Sequence, residues 1–594
     1  MLIHYKNRWL ERVLIGVNAL ACAGVVGSFV GLFGFPQPLL SERILHTAQF
    51  VLLCGFIVEK VVRRFNAVSR AEFWRVNWLD IPLLLALGVA VLGAGHWFGK
   101  SNPAAVRQFA VGIYLVLQVV TKLCRTSVSW AASGRNPMRT LIVSFVVLIM
   151  SGAGLLMLPK ASAGKDVSFV DALFTSTSAT CVTGLVVKDI GKDYSFMGQV
   201  VILSLIQLGG LGIVVFGAVL ALLLGQALSV RESAAMQDLL SESTLSRIGN
   251  MIIFVFVTTV LIEFWGAVGL LGMWDNVPGR VTNVHQQWFY SIFHSISAFC
   301  NAGFGLFSDN LARYNRCWGV YVVICPLIVL GGLGFGVLYD IVSIITDRAK
   351  RFYGKFFGRR YEISTRAPRR MWLQTKIVFC MTVCLIVFGT LALFLFERYA
   401  GQSAAARNFG ILDALFQSIT ARTAGFNTVD IGALSAPGKF ILILLMFVGG
   451  SPSGTAGGIK TVTLAVVIMA VVATLRKRDD VEIFGRSVRL VIVRRAITIT
   501  VLFIVVLFTA SLALTITENS NNFTLMQIFF EAASALGTVG LSTGITASLT
   551  TAGKLIIIAV MLIGRLGPLT LLATLTFNLR PTRYSYPDEA VIVG

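Results

Sequence analysis

Four stretches of small and hydroxylic residues recur along this chain of 594 residues: TSTSATCVTGL (175–185), HSISAFCNAGF (294–304), QSITARTAGF (417–426) and EAASALGTVGL (531–541). Each follows a phenylalanine (Phe174, Phe293, Phe416, Phe530) and ends on a glycine that precedes Leu or Phe. Those glycines, Gly184, Gly303, Gly425 and Gly540, are 119, 122 and 115 residues apart. Solenoid repeats run about 20–50 residues, so a unit this long holds a whole membrane module. The repeat confines the chain to architectures in which four equivalent modules surround one axis.

Composition sets the solvent. With 56% hydrophobic residues, 13% charged residues and a mean hydropathy of +0.80, the chain reads as an all-α polytopic membrane protein. The net charge of +22 does not point to nucleic acid, because the basic residues gather in short segments between apolar runs. Segment 347–376 has ten Lys/Arg against two acidic residues, and 476–495 has seven against three. Such segments mark the cytoplasmic side. Two spans separate each glycine stretch from the next, so all four face outward. The nine cysteines form no CxxC pair and no Cys/His cluster, which leaves no basis for a disulfide framework or zinc site. The five histidines are scattered and no ATPase motif occurs, so neither a membrane enzyme nor a primary pump is expected.

Residues 1–138 read as an N-terminal region of four spans, near 13–34, 44–62, 78–98 and 106–123, each close to the ~20 residues that cross a bilayer. The first span lacks a convincing cleavage signal and reads as retained. Segment 56–85 resembles the corresponding stretch of voltage-sensor domains in Glu59, Arg63, Arg64, Phe73, Asn77 and Asp80. A voltage sensor carries a ladder of cations through the field. The fourth span here has only Arg107, Lys122 and Arg125, so the expectation is an accessory bundle beside the repeat, with Glu59 and Asp80 at span ends near the cytoplasmic interface.

The repeat predicts four units, 139–247, 248–370, 371–495 and 496–594, each a span, a pore loop and a span. The expected spans are 140–158 and 197–224, 248–272 and 318–346, 375–397 and 438–475, and 497–517 and 552–578, which with the first four makes twelve. The loops between them are too short to cross and return as helices, so each is a re-entrant half-helix followed by a climbing strand. Irregular backbone at that depth survives only where it lines a cavity or is buried in protein. Four such strands present rings of carbonyl oxygens that replace the hydration shell of a monovalent cation. Glycine suits the turning point because it tolerates positive φ, and the half-helices aim their negative ends at the cation. The candidate filter comprises Thr180, Cys181, Val182, Thr183 and Gly184; Cys300, Asn301, Ala302 and Gly303; Arg422, Thr423, Ala424 and Gly425; and Gly537, Thr538, Val539 and Gly540. Arg422 reads as a brace behind the filter rather than a binding residue. No Asp or Glu lies among these residues, which argues against a carboxylate ring.

A second glycine set begins 25, 28, 24 and 24 residues after the first: Gly209-Gly210-Leu211-Gly212, Gly331-Gly332-Leu333-Gly334, Gly449-Gly450 and Gly564. It predicts a broken midpoint in every inner span. In the third unit the break expands to Gly449, Gly450, Ser451, Pro452, Ser453, Gly454, Thr455, Ala456, Gly457 and Gly458, a run that no stable membrane helix would choose. A loop across the path under the filter, a gate, is expected there. Its GTAGGIKT misses the phosphate-loop pattern because Ile459 separates glycine from lysine. Arg565, within MLIGRLGPLTLL (561–572), is too costly to face lipid; it reads as an electrostatic barrier in the path, as a cap on the gate-loop carbonyls, or as both.

These loops, together with GGSPSGTAGGIKT, GRLGPLT and the tail YPDEAVIVG (586–594), resemble the Trk/Ktr/HKT superfamily of potassium transporters, most closely its KtrB and TrkH membrane subunits, over about residues 139–594. The resemblance implies a pseudo-fourfold pore in one chain, K+ as the transported ion at the filter carbonyls, a gate loop at 449–458 and a pore arginine at Arg565. It further implies a homodimer in the bacterial plasma (inner) membrane and a cytoplasmic RCK/KTN nucleotide-binding regulatory subunit, with no cofactor in this chain. Glycine at all four filter positions goes with potassium preference in the superfamily, and serine at the first with sodium permeation. A sodium- or proton-coupled transporter is the alternative; it would want ionisable residues along the path, and Glu263 is one of few. The basic segments 347–376 and 476–495 are candidate docking sites for the regulatory subunit.

Overall fold

The computed structural model describes residues 6–69, 137–164, 166–212, 248–274, 283–356, 370–400 and 409–568, with Phe73 and positions within 84–89 and 107–122. Asn77, Asp80, Arg125, most of the expected third span, the inner ends of 197–224 and 552–578, residues 357–369 and the tail 586–594 lie outside the described residues.

The N-terminal region contributes α1 (Arg8–Phe33) and α2 (Glu42–Asn66). They share a core with the two partly described segments, in which Val25, Leu53, Phe56, Tyr114, Leu115 and Val119 are buried and Leu84 and Leu87 pack against them. Glu59 differs from expectation. It lies about two turns inside the end of α2 and is 5% exposed, because Asn18, Arg63 and Lys122 converge on its carboxylate.

Thereafter one order of elements occurs four times. The first unit has α3 (Pro137–Leu156), the short α4 (Phe169–Thr180), a climbing segment and α5 (Phe196–Leu211). The second has α6 (Ile248–Leu270), α7 (Val284–Phe299), then α8 (Cys325–Leu333), entered through a π turn at Val320–Ile324, and α9 (Phe335–Phe356). The third has α10 (Leu373–Ala400), α11 (Ile411–Thr420), α12 (Ala436–Phe447) and α13 (Thr461–Leu475). The fourth has α14 (Leu490–Thr517), α15 (Leu525–Gly537) and α16 (Thr551–Leu566).

Local chemistry starts and stops these helices. Ser168, Asn283 and Thr524 cap the short helices α4, α7 and α15 with side-chain oxygens, as N-caps do. Three inner helices begin at a hydroxyl three residues before a glycine: Ser195 with Gly198, Ser435 with Gly438 and Thr550 with Gly553. In the third and fourth units a buried carboxylate from the outer helix grips that cap. Glu397 Oε1 accepts from the Ser435 hydroxyl at 2.7 Å, and Glu518 Oε1 from the Thr550 hydroxyl at 2.6 Å. Each inner helix is thereby tied to its outer partner. The four phenylalanines that open the repeat are all fully buried, anchoring each short helix in the interior.

Part of the expected twelve spans lies outside the described residues. Among the described residues five helices are long and apolar enough to cross a membrane, and Val320–Leu333 with Phe335–Tyr353 makes a sixth only across a 102° bend. The inner elements are half-spans because glycines at positive φ end them: Gly212 (80°), Gly334 (84°) and Gly567 (83°). Gly212 and Gly334 are the last glycines of the expected GGLG groups, so in the first two units the breaks fall within those groups; in the fourth the break falls at Gly567, three residues beyond Gly564. The expected span 438–475 is interrupted where the 449–458 run predicts a loop, giving two helices separated by residues 448–460. Segment 476–495 also contains an unexpected hairpin, Val481–Ile483 against Arg486–Val488. Its Phe484–Gly485 turn has both residues at positive φ (51° and 69°), the tight-turn geometry that matches strand twist.

Candidate functional site

The four climbing segments have one backbone signature. The loop glycines take φ of 90°, 68°, 81° and 91° at Gly184, Gly303, Gly425 and Gly540. The residues two before them also take positive φ: Val182 56°, Asn301 57°, Thr423 75° and Thr538 49°. Positive φ at the glycines follows from the sequence reading; at four non-glycine residues it was missed. The intervening Thr183, Ala302, Ala424 and Val539 are not left-handed. Alternating handedness turns successive N–H groups to one side of the strand and the carbonyls to the other.

The N–H side is accounted for. The amides of Thr183, Ala302, Ala424 and Val539 donate back to carbonyls of Ser178, Ser297, Thr420 and Ser534 at 2.7–2.9 Å. The same four residues use their hydroxyls as well. Those of Ser178 and Ser534 accept from the Gly184 and Gly540 amides at 3.1 Å, while those of Ser297 and Thr420 donate to the Phe304 and Phe426 carbonyls at 2.8 and 2.7 Å. The hydroxylic composition of the repeat thus serves as a brace behind each strand. Tyr194, in the outer loop of the first unit, adds to it by donating to Thr175 at 3.1 Å; burial pushes its phenol up to about 12, so the donor proton stays in place.

The loops close on one another in chain order. A methyl group on Gly184 would strike the Ala302 carbonyl oxygen, one on Gly303 that of Ala424, one on Gly425 that of Val539 and one on Gly540 that of Thr183. The fourth loop meets the first, so the contacts form a closed ring. All four glycines line one cavity of about 670 Å³, with Lys188, Asp189, Asp309 and Asp430 around its wall. The Lys554 ammonium of the fourth unit reaches Asp171 of the first at 2.8 Å, a second link across that seam.

Beneath the ring, the inner helices come close to the short ones. Gly209, Gly331 and Gly564 sit against the carbonyls of Thr180, Phe299 and Leu536, each four residues before its loop glycine, leaving no room for a side chain. In the third unit Gly449 instead meets Gly457 of the 448–460 segment. That segment crosses toward the second unit: Ser451 N–H donates to Gly332 O at 2.9 Å, Phe335 N–H to Ser453 O at 3.2 Å, and the Thr455 hydroxyl to Gly331 O at 3.1 Å. The Asn301 carboxamide meets the Thr455 hydroxyl at 3.2 Å. Pro452 O lies where a side chain on Gly334 would be, so the bend in the second inner helix makes room for the crossing.

Arg565 binds this crossing. Its guanidinium donates to Thr455 O, and to Gly209 O at 2.5 Å and Gly210 O at 3.2 Å. It therefore caps carbonyls of the loop, as one reading of the sequence had it, and also those of the first inner helix. Arg422 Nη2 approaches the Thr382 hydroxyl of α10 at 3.4 Å. Glu263 stands behind the second loop, accepting from Gln207 Nε2 at 3.1 Å with the Cys300 thiol 3.8 Å away.

The model of one family, described as a cation transport protein and named TrkH, matches residues 104–582. The chain belongs to the TrkH family. It is accordingly a multi-pass membrane transporter rather than an enzyme. Among curated relatives of this TrkH-family chain, the Ktr system potassium uptake protein B of Bacillus subtilis is 37% identical over 466 residues, covering 77% of this chain and 97% of that protein. Its counterpart in Vibrio alginolyticus is 36% identical, over 78% of this chain and 96% of the relative. The potassium/sodium uptake protein NtpJ of Enterococcus hirae is 32% identical over 77% and 97%. Among solved structures, the potassium transporter TrkH from Vibrio parahaemolyticus superposes with a TM-score of 0.58 at 18% identity, over 84% of this chain and 96% of that one; this shows a shared fold.

Proposed function

We propose that this TrkH-family chain takes up potassium through a pseudo-fourfold pore. Its filter is the carbonyl ring of 180–184, 300–303, 422–425 and 537–540, and its gate is the 449–458 loop with Arg565. One observation carries the reading: four loops of alternating backbone handedness meet in a closed ring, their glycines lining a single cavity, their N–H groups bonded away from it. Carbonyls arranged this way replace a cation's water without a fixed charge. Asp189, Asp309 and Asp430 raise the local cation concentration at the entrance. The printed names of the relatives, potassium uptake for two and potassium/sodium for the third, supply the ion. The unit boundaries proposed are 1–138, 139–247, 248–370, 371–495 and 496–594. A homodimer and a cytoplasmic nucleotide-binding regulatory subunit, docked on the basic segments 347–376 and 476–495, complete the proposal. Expression in bacteria stripped of their own potassium uptake tests it: growth should return at limiting potassium, and unchanged starvation despite membrane-inserted protein would reject it.

A further inference from the structure

The family match begins at residue 104, so α1, α2 and residues 84–89 lie outside it. Within their bundle sits a complete cation clasp. The Lys122 ammonium is 3.6 Å from Glu59 Oε2, 4.2 Å from the Phe56 ring centroid, and hydrogen-bonded to Asn18 Oδ1. Asn18 Nδ2 donates to Glu59 Oε1 at 3.1 Å, and Arg63 lies 3.2 Å from the same oxygen. Phe56, Glu59 and Asn18 are 1%, 5% and 8% exposed. A buried ion pair is a poor route to stability compared with apolar packing, and charges at membrane depth mark function by default.

A second polar station lies farther out in the same bundle. Ten residues along each helix, about 15 Å at 1.5 Å per residue, Ser28 of α1 and Gln49 of α2 are buried and hydrogen-bond at 3.5 Å, with His46 3.2 Å from Gln49. Val25, Leu53 and Leu115 fill the layer between. Two polar stations, separated by an apolar plug and served by a lysine on a fourth segment, are what a charge needs to move in steps across part of a membrane field.

We infer that Lys122 is a gating charge, and that the N-terminal bundle biases this transporter according to membrane potential. A negative interior draws the ammonium into the inner clasp, the position seen here; depolarisation favours the outer station. The bundle is attached where such a movement would count. Lys122 precedes Pro137, the start of α3, by only fifteen positions. At the outer end Gly34 O accepts from Lys160 N–H at 3.0 Å, and Lys160 O accepts from the hydroxyl of Ser195, the cap of α5, at 2.6 Å. That helix ends at the Gly209 and Gly210 carbonyls held by Arg565. The inference rests on the conduction reading, so its test includes a readout that needs no current.

The full-length chain in planar bilayers with symmetric potassium is compared with Lys122→Gln and Lys122→Arg. The open-to-closed ratio should vary with voltage, by at most about fiftyfold per 100 mV for one charge crossing the whole field. It should flatten in Lys122→Gln and persist in Lys122→Arg, with monodisperse elution of both showing that the fold is intact. In parallel, a dye on Arg107→Cys should change emission with voltage, and should stop doing so when Lys122→Gln is added. Dye movement without current would support the sensor and reject the conduction reading. Voltage responses of current and dye that are the same in Lys122→Gln as in the parent would overturn the sensor.

Discussion

The proposed filter and the proposed gate touch, Asn301 against Thr455, and are built on opposite plans. The ring uses one backbone device four times, so that each loop glycine seats the carbonyl of the next loop. The crossing below uses one unit only: residues 448–460 of the third unit bond to the second, and an arginine of the fourth ties them to the first. Surrounding a bare ion requires donors on every side, whereas blocking its path requires one obstruction. Repetition belongs to recognition and asymmetry to control. Substitutions in the ring should therefore alter which ion passes, and substitutions in the crossing should alter how much passes.

The largest effect is expected from Gly540→Ala. A left-handed conformation costs a non-glycine residue about 1–2 kcal/mol, and the methyl group also meets the Thr183 carbonyl. Potassium uptake should fall at least about tenfold, equivalent to 1.4 kcal/mol, with potassium-over-sodium preference reduced; tracer uptake in cells reads both. Arg565→Gln should act on the other side of the comparison. Hydrogen bonds to a charged group contribute about 1.5–3 kcal/mol each, and Arg565 makes three to the crossing and its anchor. Flux through the isolated chain in liposomes should rise about tenfold or more at unchanged selectivity, and a selectivity change would erase the division of labour. Thr455→Val loses only neutral bonds of about 0.5–1.5 kcal/mol, so its rise should be about two- to tenfold. The smallest effect on flux is expected from Ser178→Ala. It strands the buried Gly184 amide at a cost of about 1–3 kcal/mol, seen as a lower thermal midpoint, while the parallel Ser204→Ala, whose hydroxyl is exposed on α5, should leave the midpoint unchanged.

How much of this was legible in the sequence depended on whether the pattern was local. The fourfold glycine register, the short helices and the exceptional third break are repeats or runs, and each could be read directly. Positive φ at Val182, Asn301, Thr423 and Thr538 was not, because their residue types differ and only the closed ring imposes the shared conformation. The second glycine set has two roles in three of the units: the first glycine gives close approach, and the one three residues later ends the helix; in the third unit Gly449 meets Gly457 instead. The caps at Ser195, Ser435 and Thr550 had a usable signal, a hydroxyl three residues before glycine. Their carboxylate partners Glu397 and Glu518 did not, being 38 and 32 residues distant. Lys122 is one of three scattered cations; what it touches is set by packing between segments, with Glu59 63 positions away and Asn18 104.

The most direct test of the carbonyl ring is potassium and sodium flux into liposomes holding the purified chain, with and without Gly184→Ser. A serine side chain there meets the Ala302 carbonyl oxygen of the neighbouring loop and so disturbs the ring at one contact. The ring predicts selective potassium flux in the parent and admitted sodium in the variant. Equal potassium and sodium flux in the parent, or a selectivity that Gly184→Ser leaves untouched, would contradict it.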